Sequence, residues 1–440
     1  MRARIAVLAA IAPSLAARPA LAAGFFLKEQ SAKYEGAAFA GSTARADDPS
    51  TLFFNPAGMA DLPGIQVQID GTFIGPQATL TSGSATHNAL LGGGPILGTT
   101  GHDAALNAVV PDVYITAALG NSGWHAGFSV TSPFGLTTKY GSTSIARYYA
   151  LTSTLRTEDY AASLAYRVMP QLSLGGSVIV EDAQASLSSA VDFGGIGALH
   201  GLAPFGFLPG SADGTSTLAG NSVALGYQFG VLWQPDPATH IGLSYRSAFF
   251  HTFRGNVTFG NVPSLLAPAF PGGPTSLNLA EPDMIGLGGS HKIGKWTLLA
   301  ELDWTHWGRF HTLFAAYPGG TTTLSEHWHD TWTASLGAEY QVDSQWTLRG
   351  GFAFDQTPVS STYVTPRIPD GDRYWLAVGA TWKPLPRLAL SAAYVHIFVD
   401  SDRVNLVDAG PGTENFLRGS LSGSYSSSIN IAALSATYAF

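Results

Sequence analysis

The sequence predicts an all-β membrane protein. The expected fold is an antiparallel transmembrane β-barrel of about fourteen strands, plugged by a small N-terminal helical hatch. Three observations carry that reading. Only 12% of the 440 residues are charged, roughly half the fraction usual in soluble domains, while 45% are hydrophobic. Segment after segment alternates apolar and polar residues, with aromatics closing both ends of the apolar face. Tight polar turns alternate with long connections rich in Gly, Pro, Ser and Thr, which is the asymmetry of an outer-membrane barrel.

The elements follow in chain order. Arg2 and Arg4 precede the apolar run Ile5 to Ala12, and Ala20-Leu21-Ala22 is a small-x-small cleavage site. Residues 1–22 therefore read as a secretory signal, cleaved after Ala22. A membrane anchor fits less well, because a spanning helix needs about 20 apolar residues and Pro13 and Arg18 interrupt this one. Residues 23–62 do not alternate. Asn55-Pro56 is a helix-start signal, with Asn as the cap and Pro at the first helical position, and Asp47-Asp48-Pro49 is a second. The run Leu52-Phe53-Phe54 would expose apolar surface to water if this segment hung free. A barrel this wide needs a plug or leaves a water channel. Residues 23–62 are accordingly expected as a hatch of short helices inside the lumen, and residues 63–440 as the barrel.

Four strand segments justify the barrel best. Trp296, Leu298, Ala300, Leu302 and Trp304 fall on one face, with Thr297, Leu299, Glu301 and Asp303 on the other. Trp332 to Tyr340, Trp346 to Phe354 and Tyr374 to Trp382 repeat that length with aromatic ends. Eight steps of about 3.3 Å give roughly 26 Å along a strand, or about 20 Å of height after tilting, close to the apolar band of a membrane. A soluble sandwich would need one apolar face but no aromatic pairs at membrane spacing. Short turns at Asn121-Ser122-Gly123, Gln234-Pro235-Asp236-Pro237, Val342-Asp343-Ser344 and Lys383-Pro384-Leu385-Pro386 mark the periplasmic side. The last strand places Ala432, Leu434, Ala436, Tyr438 and Phe440 on one face. Its terminal Phe440 resembles the signal that the barrel-assembly machinery reads.

Other classes are narrowed by what the chain carries. A formal net charge of −8 without a basic run argues against nucleic acid as a partner. With no Cys there is no disulfide staple and no thiol redox role. Gly-x-Ser-x-Gly, His-Glu-x-x-His and P-loop motifs are absent, so no enzyme is expected, although an outer-membrane lipase can form its Ser-His pair in space alone. In Ser325-Glu326-His327-Trp328-His329-Asp330 the two His would share a face if they lay in a strand, but such a pair more often lines a loop rim, and zinc would want further ligands. No metal and no cofactor are assigned.

Two stretches carry a family resemblance. In the N-terminal segment these are Ala23-Gly24-Phe25, Glu29-Gln30-Ser31, Ala40-Gly41, Ala46-Asp47-Asp48, Ser50-Thr51 and Asn55-Pro56-Ala57-Gly58-Met59; farther on it is Ser132 to Tyr140, SPFGLTTKY. They resemble the FadL family of outer-membrane importers of long-chain fatty acids and other hydrophobic compounds. The layout of the whole chain is similar too, except for Lys28, where Asn is common in the family, and bulky Tyr34-Glu35. The resemblance implies a hatch, with Asn55, Pro56 and Ala57 in its gating part. It also implies a mature N-terminus, Ala23, Gly24 and Phe25, that reaches a ligand pocket, and a kink in the third strand that lets the ligand leave sideways into the membrane. Here the third strand starts at Trp124 and runs into Pro133, Phe134 and Gly135. Pro removes a ladder donor, so either a gap opens there or the strand ends there; a kink near Ala126-Gly127 is the other possibility.

Two long loops following the fifth and seventh strands are oddly apolar, with Leu202, Phe205, Phe207 and Leu208 in one and Leu265, Leu266 and Phe270 in the other. They either pack together or present a capture surface. A carboxylate ligand would need a cation, for which Arg147, Arg156, Arg246 and Arg349 are candidates. Arg246 and Arg349 fall on faces expected to point inward and could instead pair with lumen acids such as Asp159 or Glu301. Fatty acid and neutral monoaromatic ligands both remain open, and a general porin or a lipid-modifying enzyme are the readings from other classes. The expected partners are a hydrophobic small molecule, outer-membrane lipid and the assembly machinery, and a monomer is expected.

Overall fold

The computed structural model describes residues 24–440. The segment read as a signal, 1–22, and Ala23 lie outside the described residues. Fourteen antiparallel strands close on themselves. They are β1 Ile65–Thr86, β2 Ala108–Ala118, β3 Trp124–Thr131 with Gly135–Lys139, β4 Thr152–Met169, β5 Leu172–Asp192, β6 Asp213–Asp236 and β7 Thr239–Arg246 with Phe250–Gly260. The rest are β8 Gly273–Ala280 with Met284–Ile293, β9 Trp296–Thr305 with Thr312–Tyr317, β10 Gly320–Ser325 with Thr331–Gln341, β11 Trp346–Asp355, β12 Arg373–Leu385, β13 Leu388–Val399 with Arg403–Leu406, and β14 Ser420–Ala439. Each pairs with its neighbours in sequence, and β14 returns to β1, with Gln66 opposite Ala439, so the sheet closes into a barrel.

The alternation read from the sequence appears as two faces. Trp296, Leu298 and Leu302 point outward, while Leu299 and Glu301 are buried inside. Aromatic ends fall in register on neighbouring strands. Trp296 lies opposite Tyr340 and Trp304 opposite Trp332, and Trp346 stacks on Trp382 at 5.8 Å. These rows belong at the two membrane interfaces, where an amphipathic ring keeps an apolar body in lipid and a polar edge in water. Among the described residues no helix is long and apolar enough to cross a membrane.

Six strands are interrupted, a feature the periodicity does not reveal. Short helices at Ala32–Glu35, Thr51–Phe54 and Pro56–Asp61 fall in the N-terminal segment. That segment touches inward-facing residues around most of the circumference. The Ala32 amide donates to Asp70 on β1 (3.0 Å), and the Tyr114 hydroxyl on β2 donates to the Gln30 carbonyl (2.6 Å). Gln228 on β6 donates to the Phe53 carbonyl (2.8 Å), and Arg45 meets Glu339 on β10 (2.7 Å).

Candidate functional site

The seat of the N-terminal segment follows from its sequence. Asn55 caps the helix that begins at Pro56: its Oδ1 accepts from the Ala57 amide at 3.1 Å. Its Nδ2 donates to the Thr43 carbonyl (2.8 Å) and to the Val231 carbonyl on β6 (3.0 Å). One side chain thus fixes a helix start, a second part of the segment and the wall. Asn55→Ala should destabilise this region by about 1–3 kcal/mol. Amide exchange of residues 51–61 should quicken while the barrel amides stay protected; equal protection in both proteins would contradict that.

Of the departures from the family pattern, Lys28 and Tyr34 have partners, while Glu35 is buried with neither carboxylate oxygen hydrogen-bonded. Lys28 is ion-paired with Asp303 on β9. Tyr34 packs against Phe54 at 5.2 Å, and the Arg45 guanidinium lies 4.3 Å from its ring centre.

Above this seat lies a narrow cavity of about 90 Å³. Phe26, Phe39, Phe53 and Phe54 line it from the N-terminal segment, and Met284, Trp307 and Trp375 from the wall. Lys28, Arg246, Gln228 and Asp303 add polar groups. Arg246 is ion-paired with Asp159, one of the two acids named from the sequence, while Glu301 instead accepts from the Thr43 amide (3.1 Å). Both cations in the cavity are therefore already neutralised. The other three sequence candidates are paired as well: Arg147 with Asp213, Arg156 with Glu158 and Arg349 with Glu339.

Gly24 and Phe25 sit beside the cavity rather than on its lining. The Gly24 amide donates to Asp370 Oδ2 at 3.1 Å. Its φ is +61°, and a Cβ there would lie 2.4 Å from the Trp328 ring, so a side chain is excluded twice over. The Phe25 ring is boxed by Trp307 (4.8 Å), Phe310 (5.5 Å), Trp328 (5.5 Å) and Phe134 (5.9 Å). Burying such a ring contributes about 2–3 kcal/mol. Sequence reasoning missed this box because Trp307 and Trp328 sit in the interruptions of β9 and β10, off the alternation. His327 and His329 lie in a loop, the more common setting for such a pair. Residues 326–330 leave the sheet, and His327 has φ +44°. Trp328 turns into the lumen, so the two His share no strand face.

The break in β3 falls at Ser132–Phe134, and the strand resumes at Gly135. Ala126-Gly127 stays in ladder with both neighbours. β2 and β3 pair only from Val113–Val130 down to Ala118–His125. Contact resumes at the Ala105–Thr138 bridge, and between these points the wall carries no β2–β3 ladder. The chain's own leading residues cover this stretch from inside. The Leu27 amide donates to the Pro133 carbonyl (2.6 Å), the Gly135 amide donates to the Phe25 carbonyl (2.8 Å), and Phe26 and Phe134 face each other as a bridge pair.

The apolar loops divide between packing and exposure. Leu266 is buried, Phe207 packs on Gly197, and Phe270 packs edge-on against Phe193 (5.0 Å) and Phe259 (5.2 Å). Leu202 is half-buried. Phe205, Leu208 and Leu265 remain exposed at the loop tips. Below them opens a vestibule to which Phe259, Phe270 and Leu277 contribute apolar wall, and Arg367 and Arg418 contribute charge. Among the described residues neither of these Arg forms an ion pair with a carboxylate. Burial and the neighbouring Arg418 push the Arg367 guanidinium down to about 10. Nothing in the periodicity singled these two out, since both sit in loops.

The comparisons with known proteins agree with this geometry. Residues 13–440 match the family model described as outer membrane protein transport protein (OMPP1/FadL/TodX). The chain is 30% identical over 389 residues to a long-chain fatty acid transport protein of Salmonella typhi, covering 85% of this chain and 87% of that one. In fold it is similar to a Pseudomonas aeruginosa FadL homologue, with a TM-score of 0.86 at 24% identity over 95% of this chain and all of that one. It is similar also to the P. putida toluene transporter TodX, with a TM-score of 0.65 at 19% identity over 89% and 94% of the two chains. An outer-membrane β-barrel by fold and by kinship, the chain belongs to the OMPP1/FadL/TodX family of outer-membrane transport proteins.

Proposed function

We propose that this protein takes up long-chain fatty acids or similar amphipathic hydrophobic compounds and releases them sideways into the outer membrane. Phe205, Leu208 and Leu265 at the loop tips make first contact. Arg367 and Arg418 attract a carboxylate into the vestibule, and the alkyl chain descends to the cavity lined by Phe26, Phe39, Phe53 and Phe54. Release runs through the unladdered stretch of wall at Ser132–Gly135 once the Phe25–Leu27 segment moves aside. The observation that supports this reading is that on its β2 side the stretch is bonded to the chain's own N-terminal backbone instead of a strand, while β4 holds its other side through Thr157 and Arg156. The segment 23–62 acts as a plug in this scheme, with Asn55, Pro56 and Ala57 holding it to the wall.

A second reading, uptake of neutral monoaromatics by the same route, is favoured by the neutralised Lys28 and Arg246 in the cavity. The two separate on one experiment. Arg367→Gln with Arg418→Gln should lower uptake of a radiolabelled C16 fatty acid several-fold and leave toluene uptake unchanged, since a freed charged hydrogen bond is worth about 1.5–3 kcal/mol. Equal fatty-acid uptake in variant and wild type would remove these Arg from the route and favour the neutral ligand. Phe205→Ser with Leu265→Ser should slow uptake of both ligands by reducing capture at low concentration. Those side chains are exposed, so the fold should tolerate the change.

A further inference from the structure

The lumen wall holds a cluster that the transport reading does not use. Glu181 points inward from β5, His251 stands just past the interruption of β7, and Glu281 lies in the interruption of β8. All three are buried, and their donor atoms lie within 4.8 Å of one another. His251 Nε2 is 2.7 Å from Glu181 Oε1. The remaining donors have no protein partner: Glu181 Oε2, His251 Nδ1 and both oxygens of Glu281. Asp159 and Arg246 are the charged neighbours, and they are ion-paired with each other. Glu181 and Glu281 therefore stand buried against one imidazole, next to an Asp159–Arg246 pair whose charges offset each other. Burying unpaired charge costs several kcal/mol per group, so such a cluster either shares protons or takes up a cation.

We propose that Glu181, His251 and Glu281 bind one divalent transition-metal ion of the zinc class within the barrel wall. One imidazole with two carboxylates suits Zn²⁺ and its first-row neighbours better than Mg²⁺ or Ca²⁺, which prefer oxygen alone. The donors come from three strands, with 70 residues between Glu181 and His251, so no spacing motif could have announced them. A bound ion would tie β5 to two interrupted strands at the level of Arg246, which lines the ligand cavity.

The test uses the untagged full chain in detergent, stripped with a chelator and then equilibrated with Co²⁺ and with Zn²⁺. Wild type is expected to retain about one ion per chain after gel filtration, with a visible Co²⁺ spectrum that Zn²⁺ abolishes. Glu281→Gln and His251→Gln should each lower affinity by about 10–100-fold. His327→Gln with His329→Gln should leave both stoichiometry and spectrum unchanged. Wild type that retains no ion would overturn the proposal in favour of a carboxyl pair sharing a proton. So would retention that Glu281→Gln and His251→Gln leave intact. The wild-type measurement stands even if a variant fails to fold.

Discussion

Joining Phe26 to Phe134 through a disulfide should abolish uptake, and reduction should restore it. The two residues form an antiparallel pair flanked, and not joined, by hydrogen bonds: Leu27 to Pro133 on one side and Gly135 to Phe25 on the other. Such pairs bring Cα atoms to about 4.5 Å, inside the range a disulfide spans without strain. Their rings already lie 5.4 Å apart on one side of the pair. The chain has no Cys of its own, so Phe26→Cys with Phe134→Cys gives a single possible bridge. If ligand leaves through the stretch this segment covers, the oxidised protein cannot open it, and uptake should fall by about tenfold or more relative to the same protein reduced. Comparing two redox states of one variant removes the effect of losing the rings. Equal uptake in both states would place the exit elsewhere.

The break at Ser132–Phe134 lies where sequence reasoning was only half sufficient. Pro133 could be read as a missing donor, but whether a strand ends or resumes after such a residue is decided by what replaces the lost bonds. Here β4 and the Phe25–Leu27 backbone supply them, a partnership about a hundred residues apart in sequence. The membrane-facing half was legible because lipid imposes one rule on every second residue, and Trp296 to Trp304 obeys it. The inward half obeys no single rule. Lumen residues answer to local partners, as Glu301 does to Thr43 and Arg349 to Glu339. The strand interruptions that put Trp307, Trp328 and Glu281 into the lumen have only weak local signals, such as Glu281-Pro282-Asp283. Asn55 was readable because capping is a short-range event, whereas its bond to Val231 was not.

Gly351→Val should unseat the N-terminal segment and make the barrel leak ions. Gly351 faces inward on β11, and a Cβ there would lie 2.1 Å from the Ala37 carbonyl oxygen, too close for any small adjustment. Gly175 and Gly242 meet the same segment at Ala57 and Thr43, so glycines on several strands mark where backbone rests on backbone. Valine is a better strand residue than glycine, so the substitution favours the barrel while opposing the seat of the N-terminal segment. Overpacking of this kind costs about 1–3 kcal/mol, enough to populate displaced positions of a segment held by hydrogen bonds and small contacts. The neighbouring Gly350→Val is the control, because its added methyls would point outward with nothing nearer than 3.8 Å to the Cβ. In planar bilayers Gly351→Val is expected to raise steady conductance well above that of wild type and Gly350→Val, which should behave alike. If all three are equally silent, either the clash leaves the segment seated, which amide exchange of residues 32–45 would show as unchanged protection, or the lumen owes its closure to something other than residues 24–62.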